Sequence, residues 1–206
     1  MKIYLVGDSI SIQYGPYLKK YLIENIQYSR KEGEEEALLD LDNPIGANGG
    51  DSSMVLTFLE AKLQTNTIEF DYLLLNCGLH DIKTDPFTNK KQVPLELYIQ
   101  NLEAIINLLS KKNIKLIWIK TTPCVDKIHN FEDSTFFRFA NDCMAYNNEA
   151  DKIMNRSKIP MIDLYSFTKK LGENVYCDHV HFHDHVREKQ ASFIAGWLEC
   201  FAKQKQ

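Results

Sequence analysis

The sequence predicts an α/β protein: a three-layer α/β/α sandwich around a five-stranded parallel sheet. Two observations carry this reading. Short apolar runs recur at 2–6, 71–77, 114–120 and 159–164, with a weaker one near 37–42. Helix-length stretches of amphipathic spacing separate them. Continuous apolar runs of this length are what strands covered on both faces require. Strands alternating with helices, joined by right-handed crossovers, close into a parallel sheet with helices on both sides.

Taken in order, Lys2-Ile-Tyr-Leu-Val6 is the first strand, and Gly7-Asp-Ser-Ile10 follows it directly. The weak second strand near 37–42 comes after Lys31-Glu-Gly-Glu-Glu-Glu36, a charge run read as a solvated loop. Gly46-Ala-Asn-Gly-Gly-Asp-Ser52 then leads into a helix. Asp71–Cys77 is the third strand, and Gly78-Leu-His-Asp81 follows it. Leu95, Tyr98, Ile99, Leu102, Ile105, Ile106 and Leu109 draw the clearest helical apolar face. Ile114–Lys120 is the fourth strand and 159–164 the fifth. Asp178-His-Val-His181 precedes the last helix, 184–202.

The chain has 206 residues, 44% hydrophobic and 25% charged, with net charge −4. That size fits a single domain spanning 1–206 with a substantial core. The charge excludes a sequence-wide basic field, so nucleic acid is not an expected partner. No apolar run reaches the roughly 20 residues that span a bilayer. Cys77, Cys124, Cys143, Cys177 and Cys200 form no Cys-x-x-Cys pair. Five scattered thiols, with no visible signal peptide, predict a reducing, cytoplasmic setting. The oligomeric state is not legible.

The polar clusters after Val6, after the second strand, after Cys77 and near 178–181 all fall beyond strand carboxyl ends. In an open α/β sheet that rim is where ligands bind. A serine at the tip of the first strand is well placed for a nucleophile, and a following helix N-terminus favours an anion. Each cluster also has a plainer reading. Ser9 suits a helix N-cap, Gly49 and Gly50 a turn, Asp178 and His181 a helix-start pair, and His80 a packed structural histidine.

Together the clusters resemble the SGNH hydrolases, also called the GDSL family. The first block matches Gly7-Asp8-Ser9-Ile10, and the second-block glycine matches Gly50. The third block, Gly-x-Asn-Asp, matches Gly78-Leu79-His80-Asp81, with His80 where the family places asparagine. The last block, Asp-x-x-His, matches Asp178-His179-Val180-His181. The resemblance implies a flavodoxin-like SGNH fold and hydrolysis of a small-molecule, sugar or lipid ester without a cofactor. It implies Ser9 as nucleophile, His181 as base and Asp178 as its orienter. It implies an oxyanion hole made of the Ser9 and Gly50 amides, completed by the His80 imidazole in place of the asparagine amide. Asp8 and Asp81 are read as loop-orienting.

Three rivals stand beside it. His179, His181, His183 and His185 alternate, which invites a metal-dependent hydrolase, although the spacing is one residue short of His-x-His-x-Asp-His. A non-catalytic carbohydrate- or acyl-binding module is the second. A thiol nucleophile at Cys77 or Cys177 is the third, disfavoured by the absence of a flanking basic residue. For substrate contact, Phe136 and Phe137 stand out within Phe131–Phe139, either lining a pocket or packing inward behind a helix capped by Ser134 or Thr135.

Overall fold

The computed structural model describes residues 1–64, 69–130 and 134–204. Five parallel strands form one sheet: β1 (Lys2–Val6), β2 (Gln27–Arg30), β3 (Tyr72–Leu75), β4 (Lys115–Ile119) and β5 (Met161–Ile162). Their order is β2-β1-β3-β4-β5. The chain therefore reverses direction across the sheet between β1 and β3, and a crevice opens there beyond the strand ends. Ile3 pairs with Tyr72 and Val6 with Leu75, so β1 and β3 end level with one another.

The helices fall into two packed groups. α1 (Ser9–Tyr21) packs on α8 (Asp184–Lys203), which also meets α7 (Leu164–Lys169). α3 (Ser52–Gln64), α4 (Leu95–Lys111) and α6 (Ala140–Arg156) pack in a row. Two short helices, α2 (Glu34–Leu39) and α5 (Asp126–His129), complete the described set. β1, β3 and β4 are fully buried except at Lys2 and Lys115, and their apolar side chains join one core that includes the fully buried Trp118. Burial of each such side chain contributes about 1.5–3 kcal/mol, offset largely by chain ordering.

The second strand is not near 37–42. It is Gln27–Arg30, an edge strand paired only with β1. An edge strand with alternating burial needs no continuous apolar run. Residues 34–39 form α2 instead, with Leu38 and Leu39 59% and 83% exposed and only Ala37 buried. Glu34, Glu35 and Glu36, read as a solvated loop, are its first turn, where carboxylates suit the helix dipole. β5 is shorter than 159–164, because Asp163 caps α7 by accepting the Ser166 N–H at 3.0 Å.

No described helix is long and apolar enough to cross a membrane. All five cysteines are free.

Candidate active site

The chain leaves β1 at Gly7, and Asp8 becomes the N-cap of α1, its Oδ1 accepting the Ile10 N–H at 3.1 Å. Capping thus falls on Asp8 rather than on Ser9. Ser9 occupies the first helical position with its Oγ uncommitted to the helix, and its amide is one of the first-turn N–H groups without an intrahelical acceptor. Burial pushes the Asp8 carboxyl up to about 6, against the opposing pull of the Ile10 amide and the Arg138 charge.

The segment before α8 brings the base. Asp178 Oδ1 accepts the Val180 and His181 amides at 2.9 and 2.7 Å, a tight Asx-type turn that fixes the loop. Asp178 Oδ2 lies 2.8 Å from His181 Nδ1, and His181 Nε2 lies 2.9 Å from Ser9 Oγ. Ser9, His181 and Asp178 thus form one hydrogen-bonded chain across 172 residues of sequence. Ser9 and His181 are buried, at 4% and 2% exposure, while the Asp178 side chain is 43% exposed. Burial pushes the Asp178 carboxyl up, but the His181 ring and the two amides outweigh it and hold it well below the usual carboxylate range. With Nδ1–H donating to Asp178, Nε2 is left to accept the Ser9 hydroxyl proton.

The glycine-rich loop runs beside β1, with a parallel bridge between Gly7 and Asn48 and the Gly49 N–H on the Gly7 carbonyl at 2.8 Å. Gly50 has φ +69°, and a Cβ there would meet Met54 Sδ at 2.6 Å. Its N–H donates to Asn48 Oδ1 at 3.0 Å in this structure. After β3, Gly78 has φ +150° and lies against Thr121, leaving no room for a side chain. Asp81 then ties this loop to the start of α3, accepting the Ser52 N–H at 3.0 and 3.1 Å; burial pushes its carboxyl up to about 7.

His80 is 1% exposed, and its ring has no hydrogen-bond partner among the described residues; Nδ1 is sealed from solvent. Burial, then the Lys83 and Arg138 charges, hold its pKa well below the ordinary histidine value, so the imidazole is neutral. The ring makes no hydrogen bond to the neighbouring Asp81.

The other histidines of the run diverge. His179 Nε2 meets Asp42 Oδ1 at 3.2 Å, while His183 and His185 are exposed and stack on each other. Among the described residues no three or more His, Cys, Asp or Glu side chains gather as a metal-holding group. Cys77 is buried, with its thiol pushed well up by burial. Cys177 is exposed, its Sγ meeting Arg187 Nη2 at 3.4 Å, a basic contact its flanking sequence does not reveal.

Phe136 and Phe137 are half-buried. Phe137 forms a backbone bridge with Thr84. Phe136 lies under Lys83 Nζ at 4.2 Å and the Arg138 guanidinium at 4.8 Å, and against the His129 ring at 5.5 Å. Ser134 and Thr135 do not cap α6, whose first amide goes to Asp126 Oδ1 at 2.7 Å. Phe131 lies outside the described residues. Asp42, Lys83, His129 and Arg138 were not singled out in the sequence; the one available signal was an arginine inside the aromatic run 136–139.

The parallel order β2-β1-β3-β4-β5, flanked by helices, is an α/β sandwich fold, and the Ser9–His181–Asp178 chain links the start of α1 to the segment before α8. Solved structures share that fold at low sequence identity. A member of the lipolytic G-D-S-L family from Veillonella parvula is 17% identical, with 98% of each chain covered and a TM-score of 0.66. A lipase/acylhydrolase from Enterococcus faecalis is 17% identical, with 96% of this chain and 94% of that one covered and a TM-score of 0.70. A carbohydrate acetylesterase from Sinorhizobium meliloti is 12% identical, with 97% and 99% covered and a TM-score of 0.66. No protein-family model and no curated protein matches the chain.

Proposed function

We propose that this protein is a serine esterase that cleaves a small-molecule ester through an acyl-enzyme on Ser9. The observation that carries the reading is the Ser9–His181–Asp178 chain, with contacts of 2.9 and 2.8 Å. The structural neighbours with acylhydrolase and acetylesterase activities in their names support it.

The chemistry follows from the contacts. Ser9 Oγ attacks the ester carbonyl carbon as its proton passes to His181 Nε2. Asp178 stabilises the imidazolium through Nδ1–H and keeps the ring in the productive tautomer. The carbonyl π pair moves onto oxygen, and the oxyanion takes hydrogen bonds from the Ser9 amide, the Gly50 amide and the neutral His80 imidazole. For the Gly50 amide to serve, the bond it makes to Asn48 Oδ1 at 3.0 Å must loosen as the oxyanion forms. Collapse expels the alkoxide, which leaves with the proton from His181. Water, deprotonated by His181, then attacks the acyl-enzyme, and Ser9 leaves with that proton, freeing the carboxylic acid.

The reading needs no cofactor, uses residues from both ends of the chain as one domain, and fits a reducing, cytoplasmic compartment given five free thiols. A panel of p-nitrophenyl esters from acetate to palmitate, run with acetylated sugars, tests it. The expected result is turnover of at least one ester by the wild type and none above background by Ser9→Ala. Equal turnover by both proteins would overturn it.

A further inference from the structure

One cluster beside this site has no part in the acyl transfer. Arg138 is 2% exposed, with Nε donating to the Leu79 carbonyl at 2.6 Å and Nη1 meeting His129 Nε2 at 2.6 Å. His129 is neutral, its pKa pushed down to about 3 by burial and then by the Arg138 charge. Lys83 Nζ, half-buried, donates to the Asp42 carbonyl at 2.9 Å and sits over the Phe136 ring that also takes the guanidinium. Among the described residues neither cation has a carboxylate oxygen within 4.0 Å, and Arg138 Nη2 has no partner. Asp42, the acidic side chain beside them, is engaged by His179.

Arg138 is therefore buried and Lys83 half-buried, with neutral hydrogen-bond partners; Asp42 acts on both charges, joined by Asp8 at Arg138 and by Asp40 and Asp51 at Lys83, but none of them closes an ion pair. Desolvating a charge without an opposite charge in contact is costly, and a bound anion offsets that cost. The cations feel it: burial, then Arg138, pushes Lys83 down to about 8, and burial pushes Arg138 to about 10. The cluster is linked to the catalytic chain through one loop and a row of packed rings. Arg138 grips the carbonyl of Leu79, the residue before His80. His129 packs on His179 at 4.8 Å and His179 on His181 at 5.8 Å, and His181 holds Ser9.

We propose that Lys83 and Arg138 form an anion subsite beside Ser9, so that the substrate is an ester bearing a second, anionic group, a carboxylate or phosphate, on its acyl or its alcohol part. The guanidinium offers its free Nη2 edge and the ammonium its two unused N–H groups. This rests on the serine-esterase reading and narrows its substrate class.

Two matched pairs separate the sources of the charge. 4-Nitrophenyl hemisuccinate against 4-nitrophenyl butyrate places the anion on the acyl part. O-acetyl-lactate against its carboxamide places it on the alcohol. The wild type is expected to favour the anionic member of one pair at least tenfold in kcat/KM. Lys83→Gln, whose lost side-chain hydrogen bond is a single one to the Asp42 carbonyl, is expected to cut that ratio several-fold; it is preferred to Arg138 variants, which release the Leu79 loop. Fluorophosphonate labelling of Ser9 in both proteins reports an intact catalytic chain. Labelled wild type with a ratio near one in both pairs would overturn the subsite and leave the esterase reading standing. A preference that survives Lys83→Gln unchanged would also overturn it. Absence of both labelling and turnover would overturn the two together.

Discussion

Replacing Asp178 by asparagine separates its two roles. One carboxylate oxygen accepts two backbone amides, at 2.9 and 2.7 Å, and the other accepts His181 Nδ1–H at 2.8 Å. Asparagine brings one acceptor oxygen and one NH₂ donor. Two amide donors against one ring contact place the amide oxygen where Oδ1 was. The NH₂ group then faces Nδ1, which must accept, so the ring proton moves to Nε2 and points at Ser9 Oγ. A histidine in that tautomer cannot take the serine proton. The cost expected is about 10⁴ in kcat, or roughly 5 kcal/mol of barrier, by the logic of other serine triads.

Stability behaves differently. The loop keeps both amide bonds in Asp178→Asn, and the side chain is 43% exposed, so unfolding shifts little. Asp178→Ala loses both bonds and costs a further ~1–2 kcal/mol of stability. The assay is kcat on p-nitrophenyl acetate beside thermal unfolding of the same preparations. A folded Asp178→Asn protein with kcat within tenfold of wild type would refute the reasoning.

Three further outcomes are expected. His80→Ala lowers kcat by roughly 10²–10³ with little change in KM, while His80→Asn, with an amide N–H of similar reach, recovers much of the loss; equal kcat for folded wild type and His80→Ala would make the ring structural. The preference for an anionic ester declines as pH rises through about 8, because Lys83 is charged below its lowered pKa and neutral above it; a ratio flat from pH 6.5 to 9.5 argues against Lys83 as the anion's partner. Exhaustive chelation leaves ester turnover unchanged, whereas loss restored by zinc or manganese would favour the metal-dependent rival.

The central strands were readable because burial on both faces demands unbroken apolar residues, as in Tyr72–Leu75 and Leu116 to Ile119. Gln27–Arg30 was not, since an edge strand tolerates Gln27 and Ser29, and Ala37-Leu38-Leu39 offered a false apolar run. Ser9, Asp178 and His181, which the structure brings into one hydrogen-bonded chain, could be picked as candidates because each lies in a short local motif. Lys83, His129 and Arg138 were not. They come from loops and from the one-turn α5, too short to show periodicity, and meet only through tertiary contacts such as Arg138 Nε on the Leu79 carbonyl. The capping role of Asp8, which frees Ser9, also depends on where α1 starts, and boundaries one residue apart give opposite readings.

The most direct test of Ser9 as nucleophile is covalent. Wild-type protein is treated with a fluorophosphonate, and the adduct is located by peptide mass. The expected result is one phosphonyl group on Ser9, formed far more slowly in His181→Ala and absent in Ser9→Ala. An adduct elsewhere, or equal labelling of wild type and Ser9→Ala, would contradict the account.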